Sequence, residues 1–337
     1  MATTSTIGSA SRNYSTPHLW LANFTPGGWI GECYNDSAFN FDTPGQLVFN
    51  QSTSSTNFIT LRAASGHAFY DNMSGSDPLH SDSSKGVSFT ATQNYKRLMK
   101  ISCDWVTVRG IQFLPTNYGG MNVEQQNNIN RSNCRVERCI MESGTSFGAP
   151  VTWCSGVLAN CLISHRIQPN YGVETAYATN LYIVNCTIVQ TSNLAGGGTG
   201  FSQFGSPINV INCAIFGFNT LHAGSSSSFS GSNNCSDLAL TFGMSNQSSK
   251  TYANQFQNNT QSSRDFRLKS GSDCIDNGTT ASTQIPSADD IIGTSRPSGS
   301  AWDIGCWELV AAAASMPWQK LVQDNQPRPD TRVAIAI

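Results

Sequence analysis

Apolar residues between positions 106 and 215 follow one pattern that is repeated in five short segments. Each segment contains an anchor residue, an apolar residue two positions after it and another three positions before it. The anchors are Ile111, Cys139, Cys161, Cys186 and Cys213. The later apolar residues are Phe113, Met141, Ile163, Ile188 and Ile215, and the earlier ones are Val108, Val136, Leu158, Ile183 and Val210. Alternation with a period of two on both sides of the anchor predicts two short strands, each with one buried face.

The alternation shifts by one residue at each anchor, and the anchors are spaced by 28, 22, 25 and 27 residues. Such a shift would turn every later side chain to the other face unless the chain bends there. We therefore predict a strand, a tight corner and a second strand in each repeat. A repeat of about 25 residues without helical periodicity is typical of a β-solenoid. Dividing the length of the solenoid by the repeat predicts about ten coils.

The residue before the anchor supports the predicted corner. It is asparagine in three consecutive repeats, at Asn160, Asn185 and Asn212. Asparagine tolerates left-handed backbone and bonds to nearby main chain, which suits a tight corner. The chain is rich in asparagine, but three successive Asn-Cys pairs in one register are poorly explained by composition. We predict that these amides form a ladder beside a column of buried cysteines.

Four further stretches carry a resemblance to known proteins. They are residues 12–16 followed by Trp20, residues 29–36, residues 265–278 and residues 302–308. With the repeat, they resemble the right-handed parallel β-helix of the pectate-lyase-like superfamily, and a looser set of β-helix proteins frequent in phage and prophage sequences. The first two are similar to N-terminal motifs of that set, and the last two to its closing motifs. The resemblance spans about residues 7–310 and implies an all-β fold; because this fold hosts lyases, hydrolases, tailspikes and structural proteins, it implies no single activity.

The chain divides into three parts on this interpretation. Residues 1–44 are a polar lead-in that caps the first coil, residues 45–310 are the parallel β-helix, and residues 311–337 are an extended arm. Residues 64–94 are polar and are expected to leave the coil as a lateral excursion. Asn234-Cys235 is a candidate for a sixth corner, after which the repeat degrades until the closing motifs.

Composition narrows the function classes. Charged residues make up 12% of the chain, about half the usual fraction, and the formal net charge is −2. This surface is typical of extracellular or virion proteins, and it lacks the basic footprint of a nucleic-acid-binding protein. The glycine run at 195–200 lacks the lysine of a phosphate loop. No cofactor is predicted.

The eleven cysteines are an odd number, so at least one must remain unpaired. Four of them occupy the anchor column, where a free thiol packs as a small buried hydrophobe. Stacked anchors would lie within disulfide reach, but their parallel side-chain directions disfavour a bond. No Cys/His spacing indicates zinc, so no metal is predicted.

The first residues, Met1-Ala-Thr-Thr-Ser-Thr-Ile-Gly8, have neither the basic region nor the apolar run of a secretory signal. No stretch approaches the roughly 20 apolar residues that a membrane span needs. An extracellular-type surface without an export signal is expected for a phage virion protein, which assembles in the host cytoplasm and is released by lysis.

Candidate catalytic residues are few. β-Helices that cleave polysaccharides use acidic residues, and lyases often add arginine or lysine; the candidates here are Glu137, Glu142, His165, Arg166 and Glu174. Glu142 and His165 occupy nearby positions in successive repeats, and an acid–base pair would need a separation of roughly 5–9 Å across a groove. Ordinary solvated charges at coil edges are the simpler interpretation, and Asp303 and Glu308 are expected to be structural.

Loop aromatics could form a platform for sugars. Tyr118, Trp153, Tyr171 and Tyr177 lie between strand pairs, and aromatic faces beside Asn and Gln suit carbohydrate stacking. The competing interpretation is that they anchor loops.

The leading hypothesis is a non-enzymatic virion structural protein: a head decoration, spike or fibre component that contacts capsid or tail proteins and copies of itself. It could also contact host-surface polysaccharide. The alternatives are a tailspike-like polysaccharide depolymerase, which is a lyase or hydrolase, and a secreted glycan-binding module. The C-terminal arm would attach the protein through Trp318 and the alternating Val333, Ile335 and Ile337. Folding of this arm back along its own solenoid is the competing interpretation.

Overall fold

Three parallel sheets form a β-solenoid in the computed structural model. The structure describes residues 2–43, 45–92, 98–115, 123–125, 133–143, 149–152, 156–165, 171–176, 181–191, 197–204, 208–223, 229–280, 284 and 288–310. Sheet A contains β1 (Thr3–Ile7), β2 (Trp29–Cys33), β5 (Ile59–Ala63), β8 (Val106–Arg109), β11 (Arg135–Glu137), β14 (Gly156–Ala159), β17 (Leu181–Val184), β20 (Ile208–Ile211) and β23 (Phe229–Ser232). Sheet B contains β3 (Phe39–Asn40), β6 (Ser88–Ala91), β9 (Gln112–Pro115), β12 (Ile140–Ser143), β15 (Leu162–His165), β18 (Thr187–Gln190), β21 (Ala214–Phe216) and β24 (Cys235–Ser236). Sheet C contains β4 (Leu47–Phe49), β7 (Met99–Ile101), β10 (Val123–Gln125), β13 (Val151–Thr152), β16 (Tyr171–Ala176), β19 (Thr199–Phe204) and β22 (Thr220–Ala223).

The chain passes from sheet A to B to C in each turn, and each strand pairs in parallel with its counterparts in the neighbouring turns. Within the described residues, seven successive turns, from β2–β4 to β20–β22, have a strand in all three sheets. An eighth turn has only β23 and β24, and β1 lies before the first. The predicted fold class is confirmed, but about ten coils was too many because residues 251–310 do not continue the coil.

The predicted strand–corner–strand unit is confirmed in the A-to-B corner of five turns. The anchors are completely buried between a strand of sheet A and a strand of sheet B. The residue before each anchor has left-handed backbone, with φ of +51° at Asn160 and Asn185 and +53° at Asn212. Gly110 and Arg138 have φ of +72° and +50° at the equivalent position of the two earlier turns.

The sixth corner differs from its prediction by one residue. Asn233 is the left-handed residue, with φ of +55°, and Asn234 is buried at the anchor position. Cys235 pairs in register with Ala214 rather than with Cys213, so its side chain joins the outer face of sheet B. The Asn-Cys dipeptide was therefore aligned one position out of register.

The outer face of sheet B is buried, which the sequence did not predict. Successive side chains of β12, β15 and β18 are buried on both faces of the sheet. The outward residues pack against apolar side chains of residues 251–310, here called the closing segment, and the two sets form a second apolar cluster. The members of this cluster from sheet B are Ile140, Leu162, Val189, Ala214, Phe216 and Cys235, and those from the closing segment are Phe256, Phe266, Leu268, Cys274, Ile291, Ile304, Cys306 and Trp307.

The predicted excursion packs against the same cluster. Phe69 begins a single 3-10 turn, Phe69–Asp71, and both Phe69 and Leu79 are buried beside the closing segment. Leu79 accepts a backbone hydrogen bond of 2.9 Å from Phe266 and donates one of 3.0 Å to Asp265 Oδ1. Phe266 and Asp265 belong to a small antiparallel hairpin of β25 (Phe256–Asn258) and β26 (Asp265–Leu268). Residues far apart in the chain therefore cover sheet B together.

The N-terminal region combines solenoid strands with a short helix. β1, β2 and β3 lie within residues 1–44, which the sequence assigned to a lead-in. Helix α1 (Pro17–Ala22) begins after Thr16, whose hydroxyl accepts from the backbone N–H of Leu19, and proline is favoured at its first position. Trp20 of this helix is fully buried and stacks on Trp29 at 6.2 Å between ring centroids. In the described part of the chain, no helix is long and apolar enough to cross a bilayer.

Candidate functional site

Glu142 lies on the outer face of sheet B, where it is 3% exposed. Arg264 of the closing segment donates to its Oε2 at 2.6 Å, and the hydroxyl of Ser81 in the excursion donates to the same oxygen. A single carboxylate thus connects the solenoid, the excursion and the closing segment. These contacts bury the carboxylate and give it a structural role.

His165 lies on the opposite face of sheet B and is completely buried. Its Nδ1 is 2.8 Å from the hydroxyl of Ser143, and its ring lies 6.2 Å from that of Phe218 between centroids. Burial lowers the pKa of His165 to about 3. The register pairs His165 with Ser143 and Ser164 with Glu142, and alternation places neighbouring residues on opposite faces. Glu142 and His165 therefore lie on opposite faces of the sheet, and these two candidates do not share a groove.

The remaining catalytic and aromatic candidates are dispersed or undescribed. Glu174 is half-buried in β16 of sheet C, and Tyr171 is half-buried at the start of the same strand. The other candidates lie outside the described residues: Arg166, Tyr118, Trp153, Tyr177, Trp318, Val333, Ile335 and Ile337.

The anchor cysteines form a regular column in the core. Each anchor thiol lies near the carbonyl two residues before it, at 3.3 Å for Cys139, 3.1 Å for Cys161, 3.4 Å for Cys186 and 3.3 Å for Cys213. The ten described cysteines are buried, and eight of them are free thiols: Cys33, Cys139, Cys161, Cys186, Cys213, Cys235, Cys274 and Cys306. Cys154 lies outside the described residues. Burial raises the pKa of Cys161 and of Cys213, so the uncharged thiol is favoured.

The asparagine ladder is only partly formed. Asn212 donates from Nδ2 to Oδ1 of Asn185 at 2.9 Å. Oδ1 of Asn160 and Nδ2 of Asn185 are buried without a hydrogen-bond partner. The closing segment supplies the remaining bonds of Asn212, because Thr279 donates its N–H to Oδ1 at 2.9 Å.

The closing motif contains a buried group of charges around Arg296. This guanidinium donates to the carbonyls of Asp303 and Gly305 at 2.7 and 2.8 Å, and lies 3.4 Å from Glu308 Oε2. Asp303 Oδ1 and Oδ2 accept from the N–H groups of Asp276 and Leu309. Burial raises the pKa of Asp303 to about 6. Asp303 and Glu308 thus hold the closing motif together, as their place in that motif indicated.

A charged cleft on the outer face of sheet A was missed by the sequence reasoning. Its lining includes Glu32 of β2, Arg62 of β5 and Arg109 of β8, together with the turn of residues 63–71, and its volume is about 300 Å³. Glu32, Arg62, Arg109 and Glu137 are register partners in four consecutive turns. The available signal was that all four occupy the same position of the repeat, two residues before the anchor or its equivalent.

Ion pairs hold the charged side chains of this column on sheet A in place. Arg62 donates from Nε and Nη2 to Glu32 Oε1 at 3.2 and 2.6 Å. Glu137 lies 2.9 Å from Arg135 Nε and 3.5 Å from Arg109 Nη1. The described residues contain no group of three His, Cys, Asp or Glu side chains arranged to hold a metal ion.

Comparisons with known proteins add little beyond the fold. No family model matches the chain, and no curated protein matches it. Among solved structures, the crystal structure of pectate lyase Pel9A is similar, with a TM-score of 0.44 and 14% sequence identity over 91% of this chain and 97% of that chain. That likeness assigns no role to any residue here. The strand topology itself places the chain in the class of parallel β-solenoids.

Proposed function

We propose that the protein is a non-enzymatic structural component of a phage or phage-like particle, in the form of a head decoration, spike or fibre subunit. The observation that carries this proposal is that the two candidate acid–base side chains are held in structural contacts. Glu142 is held by Arg264 and Ser81, and His165 is enclosed in the core beside Ser143. Both residues stabilise the fold, and among the described residues neither faces a groove in which a substrate could bind.

The packing of sheet B supports the same role. In an open solenoid, one face of each strand contacts solvent, but here the closing segment and the excursion cover sheet B. Burying an additional Leu, Ile or Phe side chain contributes roughly 1.5–3 kcal/mol. The second cluster therefore adds a large apolar interface to the inner core, which suits a protein that must remain rigid on a particle.

The cysteines and the surface composition support assembly inside a cell followed by exposure outside it. Eight of the ten described cysteines are free thiols and all ten are buried, and free thiols are expected after folding in a reducing compartment. The 12% of charged residues matches an extracellular surface better than a cytosolic one. The proposed partners are capsid or tail subunits and further copies of this chain, with residues 316–337 as the attachment segment.

The test begins with particles isolated from cells that carry the gene. Mass spectrometry of purified particles should find this chain at a constant ratio to the major capsid protein. Deletion of residues 316–337 should remove it from the particles while the truncated protein keeps its circular dichroism spectrum and cooperative unfolding. A truncated protein that no longer folds would identify the tail as part of the solenoid instead.

The depolymerase alternative needs a separate assay. The full-length protein should release neither reducing ends nor unsaturated products from a panel of surface polysaccharides. Release of such products that is lost in Glu142→Gln, while the variant remains folded, would overturn the proposed function.

A further inference from the structure

The register of sheet A places two arginines side by side. Arg62 of β5 pairs with Arg109 of β8, and parallel neighbours lie about 4.8 Å apart. Leu61 and Val108, the residues before them, face the core, so both guanidiniums extend from the outer face. Like charges directly opposite one another in a sheet are unfavourable unless an anion compensates them.

Nearby carboxylates neutralise the positive charges of these two arginines unequally. Arg62 has Glu32 to itself on the side away from Arg109. Arg109 shares Glu137 with Arg135, and its distance of 3.5 Å is longer than the 2.9 Å to Arg135. Nε of Arg109 is buried without a hydrogen-bond partner. The Arg109 side is therefore short of acceptors, although its side chain is 34% exposed.

The cleft beside the pair has room for a ligand group. Its far wall is the turn that includes Ser65, Tyr70 and Asp71, and its volume of about 300 Å³ is at the lower end of the range for small-molecule sites. Asp71 is already engaged, since its Oδ2 accepts from the N–H groups of Gly66 and Ala68. Tyr70 is fixed by the guanidinium of Arg138, which lies 3.8 Å from its ring centroid. The wall is thus built by local contacts before any ligand enters.

We propose that this cleft binds a tetrahedral oxyanion, a phosphate or sulfate group, between Arg62 and Arg109. A tetrahedral group presents oxygens in several directions, so it can accept hydrogen bonds from two guanidiniums one strand apart at the same time. The carboxylates of Glu32 and Asp71, which also line the cleft, would accept hydrogen bonds from hydroxyl groups of the molecule that carries the oxyanion. The site therefore suits the phosphate or sulfate ester of a small polyhydroxylated unit. This inference does not depend on the proposed particle role.

Isothermal titration calorimetry of the full-length protein with inorganic phosphate, and separately with inorganic sulfate, tests the site. Ionic strength is held constant with sodium chloride, since exposed charges are screened by salt. We expect saturable binding in the millimolar range for at least one ion. Arg62→Gln and Arg109→Gln should each weaken it about tenfold, because each removes charge-assisted hydrogen bonds. The ion that binds more tightly identifies the ester class.

Two further variants make the result specific. Lys250→Gln removes one positive charge from an ion pair with Asp273 in the closing segment, and it should leave the affinity unchanged. Arg109→Lys keeps the charge but loses the planar fork, so it should bind more weakly than the natural protein. Circular dichroism confirms that each variant folds. Failure of both ions to bind saturably, or equal binding by the natural protein and the Arg109→Gln variant, would overturn the proposal.

Discussion

Asn212 donates a hydrogen bond of 2.9 Å from its side-chain amide to the side-chain carbonyl of Asn185, one turn earlier in the solenoid. Both residues have left-handed backbone, and both are completely buried. The same Asn212 amide donates to the carbonyl of Thr279, and the backbone carbonyl of Asn212 accepts from Gly305 at 2.8 Å. One corner residue therefore links two turns of the solenoid to the closing segment.

Substitution of Asn212 should separate backbone from side-chain effects. Asn212→Gly keeps the left-handed corner and loses the amide, so its cost should reflect the buried groups left unpaired, about 1–3 kcal/mol. Asn212→Ala loses the amide and also places a β-carbon in left-handed backbone, which costs about 1–2 kcal/mol more. Guanidinium unfolding of both variants gives the difference. Equal stability of the two would show that the corner strain is relieved elsewhere.

Substitution of the central anchor tests the core column. Cys186→Asp should prevent folding or reduce the free energy of unfolding by several kcal/mol, because a carboxylate would be buried without a partner. Cys186→Ala is the control, since it removes only the thiol and should keep a cooperative transition. Soluble yield and denaturant midpoints distinguish the two. A folded, stable Cys186→Asp protein would mean that this position reaches solvent.

Thiol reactivity should follow burial. Because the ten described cysteines are buried, an aromatic disulfide reagent should react slowly with the native protein. After unfolding in guanidinium without reductant, most of the eleven cysteines of the chain should react. A count near one would instead indicate that nearly all are paired in the isolated protein.

The stability of the solenoid should fall in acid because of His165. Its pKa is lowered to about 3 in the folded protein, whereas an unfolded histidine titrates near 6.5. Between these values the unfolded chain binds a proton that the folded chain excludes. The free energy of unfolding should therefore decrease as the pH falls below 6.5, by up to about 1.4 kcal/mol for each pH unit.

A matched variant isolates this contribution. His165→Gln should show a shallower decrease between pH 6.5 and pH 4 in urea-unfolding series. At pH 8 both proteins are uncharged at this position, so their difference there measures packing alone. Parallel pH profiles for the two proteins would show that His165 does not contribute to the acid sensitivity.

The Glu142–Arg264 pair should hold the closing segment to sheet B. Removal of one partner leaves a buried charge, so Glu142→Gln or Arg264→Met alone should destabilise the contact by about 3–5 kcal/mol. The double substitution should cost less than the sum of the singles. Hydrogen exchange of residues 256–268, compared with that of β17 in the core, is the measurement. Unchanged protection of the hairpin in both single variants would contradict this role.

The inner core could be predicted from the sequence because the pattern that specifies it is local and is repeated in each turn. Period-two alternation, with asparagine before the anchor in three successive repeats, predicts a strand, a corner and a strand without reference to any distant residue. The same regularity explains the small error at Asn233, where one extra residue before Cys235 shifts the dipeptide but not the corner. The number of coils was overestimated because residues 251–310 have apolar residues but follow another path.

Contacts between distant segments were decided by the tertiary structure. Glu142 and His165 looked like neighbours from their spacing, but the pleat places them on opposite faces of sheet B. Two partners of Glu142, Ser81 and Arg264, are 61 and 122 residues away, and the pairing of Arg62 with Arg109 spans the excursion of residues 64–94. Such contacts depend on the length and path of the segment that separates one strand from the next strand of the solenoid. Alternation along one strand determines which face of the sheet a side chain occupies, whereas the path of these segments determines which distant residues pack against that face.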